Sequence, residues 1–272
     1  SGLISTNSTV SLADSTVDGH RSDDISLTDS SLDVANGQIN QNGGVGITAG
    51  SATIGLTTTT IANNNGDGVF LRSSSIDVLE QSSIADNNGR GIDAESSTVT
   101  LSNSTVLNHP SDALYLINSP ASVGNSRLEN NGGWGIFAEN STAVRMFNST
   151  VSTNTNGGLR LSSAVTSVRS TEIQSNTGFG LEVTNESALL MIGGSLRANE
   201  TMGLMLNGSS ASLREVTVAD NLTNGVEAVN RSALTIVRGV IENNAQDGLR
   251  LSDSLGSIRE TQITRNGEFG LN

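Results

Sequence analysis

The sequence predicts an all-β solenoid: a parallel β-helix of about twelve coils, each carrying three short strands. Three observations carry this. A small residue followed by an aliphatic-x-aliphatic triplet returns every 22 or 23 residues along all 272 positions. Between these returns lie only short segments of period-two alternation, the mark of half-buried strands. A column of Asn recurs at one fixed place in the repeat.

The repeat starts at Gly2, Asp24, Gly46, Gly68, Gly91, Ala113, Gly135, Gly158, Gly180, Gly203, Gly225 and Gly248, and a thirteenth start falls at Gly270. No interval departs from 22 or 23 residues, so the spacing leaves no room for a linker or an inserted loop. The expected organisation is a single domain over 1–272, cut from a longer rod, with bare end coils that could stack on other copies. Within one repeat the first strand is read at Ile47-x-Ala49, the second at Ile54-x-Leu56 and the third at Thr59-x-Ile61. Gly and Asn fill the bends, as in Asn65-Gly66 and Asn88-Gly89. Twelve coils stacked at roughly 4.8 Å would make a rod of about 58 Å.

The Asn column follows each third strand: Asn42, Asn64, Asn87, Asn131, Asn154, Asn176, Asn199, Asn221, Asn244 and Asn266, with His20 and His109 in the remaining two coils. Asn tolerates the left-handed backbone of a tight bend, and stacked amides can bond one another. A column of small residues, from Ser15 and Gly37 through Thr59, Ser82 and Ser104 to Thr261, would fill a narrow corner. These columns account for the composition. Ser, Thr and Asn make up 97 residues, the apolar share is 35%, and yet the order of residues specifies a fold.

The pattern Ser-x-Ile-x-x-Asn-x-x-x-Gly-Ile-x-Leu resembles the right-handed parallel β-helix (solenoid) repeat of the pectin-lyase-like superfamily, and the Asn column resembles its internal asparagine ladder. The resemblance covers essentially the whole chain. It implies the fold strongly and the activity weakly, because lyases, hydrolases, epimerases, tailspikes and adhesins share that repeat. A leucine-rich repeat has a similar period, but the Ser, Thr or Gly two residues before each third-strand aliphatic breaks its pattern.

Composition narrows function. The net charge of −13, with 14 Arg and no Lys, argues against nucleic acid and against anionic membrane surfaces. No apolar run approaches 18 residues, so membrane insertion is not expected. Gly19-His20-Arg21 near Asp23-Asp24 resembles the polygalacturonase set only in part. Asn108-His109-Pro110 resembles a mannuronan epimerase motif only in composition. Both histidines fall in the ladder column, so both are read as ladder substitutes.

The best surface candidate is the outward residue of the first strand. Its column runs through Phe70, Asp93, Tyr115, Phe137, Arg160 and Glu182, with Trp134 close by, and it holds three of the seven aromatic residues. Flat rings that stack on sugar C–H groups, beside planar charged groups, suit carbohydrate. The expectation is an extracellular or cell-surface structural or adhesive module that binds polysaccharide along this strip, with no cofactor. The competing expectation, implied by the resemblance, is a polysaccharide lyase, hydrolase or epimerase acting on acidic glycans, with Ca2+ only in the lyase case.

A longer period is also present. Arg169, Arg214 and Arg259 lie 45 residues apart, and Phe147, Ile192 and Val237 lie 45 apart in the intervening coils, so the duplicated unit was a pair of coils.

Overall fold

A computed structural model describes residues 1–141 and 143–272. The chain forms two compact units, Ser1–Ile136 and Phe137–Asn272. Each is a stack of coils built from three parallel sheets, as the repeat predicts. In the first unit the first strands of successive coils pair in sequence order: Leu3–Thr6, Ile25–Thr28, Ile47–Gly50, Val69–Arg72, Ile92–Glu95 and Leu114–Ile117. The second and third strands form two more sheets in the same way; in one coil they are Ser75–Leu79 and Ser83–Ala85. The second unit repeats the arrangement, with Gly157–Ser162 pairing with Phe179–Thr184 in the first sheet and Val165–Arg169 with Ala188–Ile192 in the second.

Alternation decides which residues enter the core. In the coil that begins at Gly68, Val69, Leu71, Ile76, Val78 and Ile84 are all fully buried. Their counterparts in the next coil, Ile92, Ala94, Val99, Leu101 and Val106, are buried too. Each such aliphatic side chain contributes roughly 1.5–3 kcal/mol on burial, so five or six per coil form the main cohesive term. The walls are aliphatic, and the corners are polar.

All three corners carry a ladder. At the third corner Asn199 donates from its backbone N–H and from Nδ2 to Oδ1 of Asn221, at 3.1 and 3.0 Å, and its own Oδ1 accepts the same pair of bonds from Asn176. The same double bond links Asn42 to Asn64, Asn64 to Asn87, and Asn221 to Asn244. The second corner uses the small-residue column, where Thr59 N–H donates to Ser82 Oγ and Ser104 N–H to Ser126 Oγ. The first corner has a serine ladder that the sequence reading did not single out. Ser74 N–H donates to Ser97 Oγ and Ser97 N–H to Ser119 Oγ, while Ser187, Ser209 and Ser232 continue the pattern in the second unit.

One expectation is corrected. The ladder Asn does not itself take the left-handed backbone. That conformation falls on the residue before it: Gln41, Asn63, Asp86, Asn108, Ser175, Ala198 and Asp220 all have φ between 53° and 61°. Bending and bonding are thus divided between neighbours. The exposed residue turns the chain, and the buried Asn keeps a geometry that aims its amide along the stack. Glycine is needed at the start of the coil for a different reason. A Cβ on Gly68 would lie 2.5 Å from Ile84 Cγ2 and 2.9 Å from the ladder amide of Asn87.

The two histidines differ. Each donates its backbone N–H to the ladder Oδ1 of the next coil, His20 to Asn42 and His109 to Asn131. The His109 ring also stays in the ladder, with Nε2 3.2 Å from Asn87 Nδ2 and Nδ1 3.0 Å from Asn131 Oδ1. These partners assign a neutral ring with Nδ1 protonated, so the imidazole presents an acceptor below and a donor above, as an Asn amide does. The His20 ring instead turns to Asp24, with Nδ1 2.7 Å from Oδ1.

Asn199→Ala is expected to cost on the order of 1–3 kcal/mol in urea unfolding, because the Asn176 and Asn221 amides lose a buried partner. Ser11→Ala, outward on the second sheet, should stay within about 0.5 kcal/mol of the parent. Equal losses would contradict an internal ladder.

Candidate functional site

The column read from the first strands faces outward within each unit. In the first unit Phe70, Asp93 and Tyr115 are direct neighbours in register on adjacent strands, all outward and half-buried. In the second unit Arg160 and Glu182 are register partners, with Arg160 Nε 3.3 Å from Glu182 Oε2, and Phe137 lies 5.6 Å below the Arg160 guanidinium. Trp134 is buried, at 7% exposure, and its backbone N–H donates to Asp112 Oδ1 at 2.7 Å.

Around Asp93 and Tyr115 the structure adds residues that the sequence reading left apart. Arg90 sits at their centre. Its guanidinium lies 3.5 Å over the Tyr115 ring, its Nη1 is 2.5 Å from Asp93 Oδ2, and its Nε is 3.7 Å from Asp112 Oδ2. Its backbone N–H donates to Asp67 Oδ1 at 2.6 Å. Asp67 and Asp112 lie two coils apart, and Arg90, in the coil between them, hydrogen-bonds to the first through its backbone and ion-pairs with the second. Burial pushes both carboxyls up from the usual range. The Arg90 backbone N–H opposes this at Asp67, and the Trp134 backbone N–H opposes it at Asp112. The signal for Arg90 was present in its spacing, three residues before Asp93 and one before Gly91, but a solenoid corner carries no pattern that marks such a contact.

This geometry changes what the strip offers. The flat rings were expected to stack on sugar beside planar charged groups, and each of the three rings has a guanidinium over it: Arg72 at 5.1 Å from Phe70, Arg90 at 3.5 Å from Tyr115 and Arg160 at 5.6 Å from Phe137. The presented groups are therefore guanidinium planes, carboxylates and ring edges. Such a surface donates and accepts hydrogen bonds in one plane, which suits vicinal hydroxyls. Burial thus raises the Asp67 and Asp112 carboxyls beside a single Arg, a property shared with acid–base sites.

Two further perturbed groups, His109 and Asp24, lie in the ladder column or beside it. Burial lowers His109 to about 4, against the pull of its Asn131 hydrogen bond. Burial raises Asp24 to about 6, opposed by the His20 hydrogen bond and charge.

Corners this short, stacked aliphatic walls and polar ladders together define a right-handed parallel β-solenoid of the pectin-lyase-like kind. The chain belongs to the right-handed β-helix family, whose model, described as a right handed beta helix region, matches residues 1–143 and again 134–272. Among solved structures it is similar to the periplasmic alginate epimerase AlgG, at 12% identity and a TM-score of 0.59, over 90% of this chain and 74% of that one. It is also similar to the enzymatically active domain of tailspike protein 2 of bacteriophage CBA120, at 13% identity and a TM-score of 0.52, over 98% of this chain and 42% of that one. These likenesses concern the fold. No curated protein matches the chain.

Acid titration should separate the two buried groups. His109, lowered in the folded state, contributes stability that is fully present above 6.5 and lost as pH falls toward about 4. Asp24 has the opposite sign: its contribution is present below 3.8 and lost as pH rises through about 6. His109→Asn should therefore gain stability relative to the parent between pH 6.5 and 4, by on the order of 3 kcal/mol at the acid end. A difference between the two proteins that does not change with pH would show that the buried ring is not the acid-sensitive group.

Proposed function

We propose that this chain is an extracellular or cell-surface structural or adhesive β-helix module that binds polysaccharide through its outward first-sheet residues. The observation that carries the reading is the planar polar cluster of Arg90, Asp93 and Tyr115, extended by Phe70 in the first unit, with Phe137, Arg160 and Glu182 as a separate set in the second. Sugar hydroxyls approaching this surface meet a guanidinium stacked on a ring and carboxylates on either side, an arrangement that fixes orientation with little loss of side-chain freedom. A surface of this kind binds weakly per contact and gains by repetition along a polymer. The uniform coil length favours binding over turnover, because walls around a reacting bond are built from long loops. A periplasmic alginate epimerase and a phage tailspike of similar fold support glycan as the ligand class and a location outside the cytoplasm.

A second reading, a polysaccharide lyase, hydrolase or epimerase, is favoured by one observation: burial raises the Asp67 and Asp112 carboxyls beside Arg90 and Tyr115. A lyase of this kind would take Ca2+ on carboxylates; Asp67 and Asp112, two coils apart with Arg90 between them, do not fit a single ion, and the described residues contain no cluster of metal-binding side chains.

The test is a panel of neutral and uronic-acid glycans, scored in parallel for retention on the protein and for new reducing ends, unsaturated products or epimerised sugars, with and without Ca2+. Retention without product is expected, and Arg90→Ala should weaken it about tenfold or more, the loss of one charge-assisted contact. Product formation abolished by Asp112→Asn would replace the binding reading with the enzymatic one. Retention unaffected by Arg90→Ala would remove the first-sheet cluster from the site.

A further inference from the structure

The second sheet of the unit Phe137–Asn272 has an outer face unlike any other in the chain. Its strands, Val144–Phe147, Val165–Arg169, Ala188–Ile192, Ser210–Arg214, Ala233–Val237 and Leu255–Arg259, contain no acidic residue, in a protein with 27 of them. The matching sheet of the first unit is the reverse, with Asp33 and Asp77 outward and no cation on strands such as Ser31–Ala35 and Ser75–Leu79.

One outward column of this face has a strict order. Phe147, Arg169, Ile192, Arg214, Val237 and Arg259 are consecutive register partners on adjacent strands. Cation and apolar side chain alternate at each coil, so guanidinium groups recur every second coil, about 10 Å apart. Arg169, Arg214 and Arg259 are exposed. Among the described residues none of the three makes an ion pair, nor does Arg145, exposed on the strand of Phe147, whereas Arg72, Arg90, Arg127, Arg160, Arg197, Arg231, Arg238 and Arg265 all do. Of the rim carboxylates that follow these arginines in the chain, Glu215 is held by Arg238 at 2.7 Å and Glu260 makes no ion pair with Arg259. Beside the column runs a shallow groove of about 380 Å3, where Arg214, Val237 and Arg259 face Ser212, Thr235 and Ser257.

Three unpaired guanidinium groups in a chain of net charge −13 call for an anionic partner. The alternation narrows it. Successive sugars of an extended glycan turn opposite faces to a surface, so a polymer lying along the stack presents like groups to the sheet once per two sugars. A polymer with carboxylates recurring at that interval on one face would set each on an Arg, the sugar between on an aliphatic side chain, and hydroxyls on the groove's Ser and Thr, whereas a neutral polymer would leave the guanidinium groups without a partner. We propose that this face binds a linear polysaccharide that presents one carboxylate to the sheet at every second sugar, lying along the stack of coils. The inference rests on the reading of the chain as a polysaccharide-binding module, and it assigns a second surface, distinct from the first-sheet cluster.

The test is a titration with unsulfated hyaluronan oligosaccharides, which carry one carboxylate per disaccharide. A neutral dextran oligosaccharide of equal length, a DNA duplex and phosphatidylserine vesicles complete the set. The triple variant Arg169→Ser, Arg214→Ser, Arg259→Ser is compared with a charge-matched control, Arg197→Ser, Arg231→Ser, Arg265→Ser, after both are shown to melt with the parent's cooperativity. Expected are hyaluronan binding that weakens with added salt, stronger than dextran binding, reduced at least about tenfold in the triple variant and changed less than about twofold in the control. Dextran binding as tightly as hyaluronan, an equal loss in the control, or preference for DNA or vesicles would each overturn the proposal. If some glycan binds the parent and the triple variant alike, this face fails and the polysaccharide reading survives; if no glycan binds the parent, both fail.

Discussion

The fold depends on one interaction, the double hydrogen bond by which each buried Asn grips the next along the stack. Asn199 gives two N–H groups to a single oxygen of Asn221 and receives the same from Asn176. Because the bonds run between equivalent residues of successive coils, they exist only when those coils are in register. A slip of one residue would break every rung and turn the alternating aliphatic residues outward. The ladder therefore fixes the register that the apolar walls then exploit.

This division of labour explains a composition that would otherwise suggest disorder. Aliphatic residues are confined to the flat walls, five or six per coil, and no aromatic filler is needed because the interior is narrow. The corners, where a chain must leave backbone groups without sheet partners, are closed by Ser, Thr and Asn side chains. A buried backbone N–H left unpaired costs as much as the lost bond, so the three ladders are requirements of the path and not decoration. His109 shows how narrow the requirement is. It is accepted because a neutral imidazole offers one donor and one acceptor in the direction that an amide does, and its resistance to protonation follows from burial in that role.

Much of this was legible in the sequence because a solenoid writes its contacts at a constant interval. The 22/23 spacing located the strands, the aliphatic triplets located the walls, and the Asn column located one corner. The left-handed position was misplaced by one residue, since Gln41, Asn63 and Ala198 share a conformation and no chemistry. The serine ladder of Ser74, Ser97 and Ser119 was hidden by the abundance of Ser elsewhere. The outward strip was legible as a column, but its chemistry was not: Arg90 belongs to a corner, and only the folded path lays it on Tyr115 between two buried carboxyls. The 45-residue recurrence of Arg169, Arg214 and Arg259 was visible as arithmetic, and the sheet register gave it a surface.

The two faces follow from the same economy of structure. A scaffold whose corners are fully committed to ladders can vary only the outward residues of its strands, and there it sets planar polar groups on one sheet and alternating cations on another. Side-chain amide exchange tests the ladder beneath both most directly. By NMR, the Nδ2 protons of Asn199 and Asn221 should exchange with solvent as slowly as the backbone amides of core residues Leu181 and Val183, while those of the exposed Asn7 exchange at the rate of a free side chain. Rapid exchange at Asn199 and Asn221, alongside protected strands, would show that the coils hold together without the ladder.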